Sequence, residues 1–117
     1  MEQVSHQAES CLLKKGCSVY TAVERRTINR ARLQETVQRA QGEFFPKLQR
    51  APGFVGFSLV ADEENGINTA VVVWEGKAQA EAFDTESKGW MQTLEELGHT
   101  LQSDDRGETM IQLGPQK

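Results

Sequence analysis

The side chains best placed to do chemistry in this chain are His99, Tyr20 and Glu24. His99 follows an apolar helical pattern, where an imidazole could act as a general base or complement the negative end of a helix. Tyr20 and Glu24 are four residues apart in a β-branched stretch, so with Ala22 they share one strand face. If that face lines a cleft, a phenol and a carboxylate make a polar patch in an apolar pocket, as small-molecule sites do. Otherwise Glu24 is a strand-end carboxylate in water. Trp74, Phe57 and Trp90 are the aromatic residues that would wall such a cleft against a flat ligand; Trp74 could equally fill core opposite Phe57. Two His and two Cys without close spacing suit no metal, and no glycine-rich phosphate loop occurs, so neither a metal nor a cofactor is expected.

These side chains need elements to hold them. Residues 1–16 are polar and without a clear period, include His6, and read as a flexible N-terminal arm; 17–117 read as one domain. A strand is expected at about 17–25. Leu33, Val37, Ala40, Phe44 and Leu48 then draw one apolar stripe down a helix, with Asn29 as its N-cap and a kink at Pro46. Within residues 52–75 two apolar runs flank Asn65-Gly66, which suits a type I′ hairpin turn. With those two residues as the loop, Phe57 faces Trp74, and Val55, Phe57, Leu59, Ala61, Ala70, Val72 and Trp74 share one face. Phe54, Val60, Ile67, Val71 and Val73 take the other. A four-residue loop keeps these faces; an odd one swaps a strand. A second helical pattern runs from Ala78 to Leu97, interrupted at 84–89 and stopped by Gly98. The alternating "ETMIQL" at 108–113 reads as the last strand, and 99–107 has no assignment.

The order is β-α-β-β-α-β, an α+β ferredoxin-like plan: an antiparallel sheet with the first and third strands central and both helices on one face. "AVVVW" fits a central strand buried on both sides. Exposing Val60, Val71 and Val73 would forgo roughly 1.5–3 kcal/mol each. A second copy packed sheet to sheet is the economical cover, so a homodimer is expected.

The formal net charge of −4 argues against nucleic acid or an anionic membrane as partner. Arg25, Arg26, Arg30 and Arg32 read as solvated loop and helix-start charges, and "GFVGF" lacks the basic lead of an RNA-stacking sheet motif. No stretch reaches the length of a membrane span or a signal h-region, and Cys11 and Cys17 read as free thiols, so a cytoplasmic location is expected.

"FFPKLQRAPGFVGFSLVAD" and "AVVVWEGKAQAEAF" resemble the antibiotic biosynthesis monooxygenase-like family of dimeric α/β barrels, over about 18–113. The resemblance implies a homodimer with a cleft for a hydrophobic or aromatic small molecule between sheet and helices, and Trp74 in the place of a recurrent pocket residue. It also implies cofactor-independent oxygenation of quinol-type substrates as one activity; a non-catalytic binding dimer is the other reading. This chain departs from the family's pattern. Haem-degrading members carry an Asn on the first strand and a His about ten residues after the Trp. Here 17–25 holds no Asn, and Asp84 and Thr85 stand where that His would be. Oxygenase members carry an Asn four residues before the Trp and a Tyr soon after it; here Ala70 takes the first place and 78–82 holds no Tyr.

Overall fold

The computed structural model describes residues 19–116. The expected arm, with His6 and Cys11, lies outside the described residues, as does Cys17. Strand β1 spans Tyr20–Thr27, later than the expected 17–25. A 3-10 turn at Arg30–Arg32 leads into α1 (Leu33–Glu43), followed by α2 (Phe45–Arg50), β2 (Phe54–Asp62) and β3 (Ile67–Trp74). Helices α3 (Lys77–Glu86) and α4 (Lys88–Glu96) precede β4 (Leu101–Glu108). The strands form one antiparallel sheet in the order β2-β3-β1-β4, so β1 and β3 are central as the ferredoxin-like plan requires. Among the described residues no helix is long and apolar enough to cross a membrane.

The apolar stripe of the first helical segment holds at its C-terminal end, where Ala40, Phe44 and Leu48 are buried, while Val37 is 40% exposed. Pro46 acts earlier than a last-turn kink would: the helix breaks at Phe44, and Pro46 sits in the first turn of α2, where a missing N–H costs nothing. Asn29 does not cap. Its side-chain Nδ2 instead donates to the carbonyl of Leu97 at 2.8 Å, satisfying a terminal carbonyl of the helix that Gly98, at φ +90°, brings to a close.

The hairpin also departs from expectation. Asp62 pairs with Ile67, so the loop has four residues, and among the described residues only glycines have positive φ. Asp62 rather than a type I′ geometry organises the turn. Its carboxylate accepts from the Asn65 side chain at 2.8 Å and backbone at 3.2 Å, and these bonds hold the carboxyl below its ordinary pKa. Phe57 therefore faces Val72, not Trp74. A bulge between Phe54 and Gly56 inserts Val55 as the extra residue and turns Phe54 to the helix side, where its ring meets Trp74 edge-on at 5.9 Å. Sequence alternation cannot register such a one-residue shift.

The expected strand at 108–113 is corrected too. The strand is Leu101–Glu108, the polar stretch left without assignment. As an edge strand paired only to β1 it needs no apolar face. One further bond, Thr109 N–H to the Val19 carbonyl at 2.6 Å, ends the pairing, and Met110, Ile111 and Leu113 beyond it are 75% or more exposed.

The helices cover one sheet face with a core of Tyr20, Ala40, Phe44, Leu48, Trp74, Ala80 and Phe83. On the other, Val71 lies between Val23 and Ser58, Val73 lies between Thr21 and Gly56, and Val60 is 57% exposed. No element of the described chain covers them.

Candidate functional site

The helix-facing side of the sheet changes character along the strands. At one end Tyr20 pairs with Trp74, and the indole, 2% exposed, lies 5.2 Å from the Phe83 ring. This end is packed. Two residue pairs along, Glu24 stands beside Ala70 and Arg26 beside Asn68, and here small residues leave space. A cavity of about 140 Å³ opens between Phe57, Leu59, Asn68 and Ala70 of the sheet and Thr36, Val37, Phe44, Trp90 and Met91 of the helices. The Trp90 ring stacks on Phe44, centroids 5.5 Å apart and 13° from parallel, and Phe57 meets Phe44 edge-on at 6.0 Å. A smaller cavity of about 60 Å³ continues toward Trp74, sharing Glu24, Phe44, Phe57, Ala70 and Met91 with the first.

The polar end is built on Arg26, which the sequence reading placed among solvated charges. It is 7% exposed. Its strand parity is that of Tyr20, Ala22 and Glu24, so it points under the helices. Its Nε donates to Glu24 Oε1 at 2.9 Å, and its Nη1 donates to Glu95 Oε2 at 2.5 Å and to the His99 carbonyl at 2.9 Å. Among the described residues Nη2 has only the Met91 thioether, a weak acceptor, at 3.7 Å. Glu24 uses one oxygen on Arg26 and lines both cavities.

His99 is 1% exposed and its ring is held at both nitrogens. The Asn29 backbone N–H donates to Nδ1 at 3.2 Å. The Thr27 carbonyl lies 3.3 Å from the same Nδ1, and Nε2 is 2.7 Å from Thr36 Oγ1. The Thr36 hydroxyl in turn donates to the Arg32 carbonyl at 2.8 Å. These bonds through His99 tie the start of α1 to the end of α4.

The sequence-derived residues therefore separate. Glu24, Phe57, Trp90 and His99 line the larger cavity; Trp74 lines the smaller one and fills core; Tyr20 shares the face of Glu24 but lines neither. Arg26, Thr36 and Asn68 were missed. Parity alone would have found two of them: Arg26 follows Glu24 by two residues, and Asn68 precedes Ala70 by two. Among the described residues, no cluster of three or more His, Cys, Asp or Glu side chains has the geometry to hold a metal ion.

No family model and no curated protein matches the sequence. Solved structures do match in fold. A monooxygenase from the gene ActVA-Orf6 of Streptomyces coelicolor, in complex with nanaomycin D, is 14% identical at a TM-score of 0.62, over 91% of this chain and 97% of that one. SnoaB from Streptomyces nogalater, a cofactor-independent oxygenase, is 18% identical at 0.54, over 82% and 95%. A candidate antibiotic biosynthesis monooxygenase from Nitrosomonas europaea is 10% identical at 0.62, over 82% and 92%. The chain thus has the fold of antibiotic biosynthesis monooxygenase structures, as its sequence resemblance implied.

Proposed function

We propose that this protein binds a flat, largely apolar aromatic molecule in the cleft between sheet and helices, works as a homodimer packed through its open sheet face, and oxygenates its ligand without a cofactor. The observation that carries the reading is the cavity itself. An engineered apolar cavity of about 150 Å³ holds benzene, and the space beside Phe44, Phe57 and Trp90 is of that order and open at one side. The fold shared with two oxygenases supports the chemistry. In it the protein orients a quinol-type substrate, a base removes a proton, and the resulting anion reduces dioxygen; one oxygen atom enters the product and the other leaves as water. Glu24 is the base best placed, since only its Oε1 is engaged within the described chain. His99 holds the site's frame rather than the proton, because both ring nitrogens are already bonded.

That saturation of His99 also favours a second reading, a dimer that binds its ligand without turning it over. Oxygen uptake separates the two. With a panel of hydroquinones and dihydroxynaphthalenes, uptake above the buffer rate and its loss in Glu24→Gln are expected; no uptake with any compound leaves binding alone.

The dimer rests on burial. Val23, Val60, Val71 and Val73 form an apolar patch on the side the helices leave bare. Sedimentation at micromolar concentration is expected to give a dimer. Val71→Arg, which sets a charge in the middle of the patch, is expected to weaken association at least about 100-fold, the order of leaving one buried charge unpaired. A folded wild-type monomer at that concentration would remove the proposal.

A further inference from the structure

The segment beyond β4 carries apolar side chains that the described chain leaves in water. Met110, Ile111 and Leu113 are 88%, 75% and 88% exposed. The root of this segment is nonetheless fixed. Thr109 N–H donates to the Val19 carbonyl, and the Thr109 and Thr21 hydroxyls lie 2.6 Å apart. Thr21 stands beside Val73 and Gly107 on the sheet face that the helices leave bare, so Thr109 belongs to that face too. Continued as a strand, the segment sets Ile111 and Leu113 on the bare face and Met110 on the other.

The bare face differs between its two ends. Next to Thr109, the row across the four strands is Gly56, Val73, Thr21 and Gly107. A Cβ on either glycine would meet no heavy atom within 4 Å, so each end of this row is a notch. At the far end the row is Val60, Thr69, Arg25 and Ser103, and Arg25 reaches toward Asp105 at 4.0 Å. Two aligned sheets packed face to face can be related by a two-fold axis along their strands or across them. An axis across the strands would press Arg25 and Asp105 onto the partner's apolar end, where charge is costly to bury. An axis along the strands joins apolar end to apolar end and sets β4 of one copy over β2 of the other. Resting on the reading of this protein as a sheet-to-sheet dimer, we infer that its axis runs along the strands and that the C-terminal segments are exchanged. Residues 109–113 of each copy lie on the other, with Ile111 and Leu113 seated in the notch at the partner's Gly56, against the partner's Val73.

Sedimentation equilibrium of the wild type and of the double variant Ile111→Ser, Leu113→Ser tests this, since neither side chain is buried within its own copy. The variant is expected to keep the wild-type circular dichroism and to associate at least about 100-fold more weakly, the order of withdrawing apolar side chains from burial at two symmetric places. Nuclear magnetic resonance on a mixed dimer of isotope-labelled and unlabelled copies locates the segment. Overhauser contacts between copies are expected from the methyls of Ile111 and Leu113 to those of Val73. Unchanged association of the variant, contacts to Val60 instead, or contacts confined to one copy each overturn the inference while leaving a sheet-to-sheet dimer. A wild-type protein that is monomeric at micromolar concentration overturns the dimer reading and the inference with it.

Discussion

Trp74→Ala is expected to lower stability by about 3–5 kcal/mol, the usual cost of emptying a large aromatic site in a core. Trp74 is 2% exposed and is wedged between Phe54 at 5.9 Å and Phe83 at 5.2 Å, on a central strand that cannot move without its neighbours. The bulge brings Phe54 inward to meet this ring. Domains are commonly stable by only about 5–15 kcal/mol, and the loss is a large share of that. Urea unfolding at a fixed protein concentration measures it. A midpoint unchanged from wild type would mean that the indole is not the keystone of the packed end.

His99→Ala is expected to cost about 2–4 kcal/mol, from lost packing together with the stranding of a buried donor and hydroxyl. The side chain accepts from Asn29 N–H and faces Thr36 Oγ1, and it has almost no exposure to water that could replace it. A double-mutant cycle distinguishes this network from simple packing. Thr36→Ala beside His99→Ala should cost clearly less than the two single losses added, with a coupling of about 0.5–3 kcal/mol for residues in one hydrogen-bond chain. Strict additivity would show that the chain through Thr36 carries no energy.

Much of the architecture was legible because it rests on periods. The 3.6-residue stripe through Ala40, Phe44 and Leu48, the unbroken "AVVVW" of a central strand, and the stop at Gly98 are local signals that burial, pairing and backbone angle then match. Glu24, Phe57 and Trp90 could be proposed as cleft residues for the same reason. Arg26 and Asn68 could not be singled out by type, since an arginine among arginines and an asparagine near a turn read as surface. β4 was missed because an edge strand has no apolar face to announce it.

The order of the elements, the choice of β3 as a centre, and the surplus of valine on the uncovered side were decided by the chain's own alternation of apolar and polar residues. What only the folded molecule decided was register and pairing across distance. The Val55 bulge moved Phe54 inward, the Asp62 cap lengthened the hairpin loop, and the meeting of Arg26, Glu95 and His99 joined residues about seventy positions apart. Local preference is nearly indifferent to such choices; they are made by which buried polar atoms find partners, and Asn68 Oδ1 is where that process stopped short.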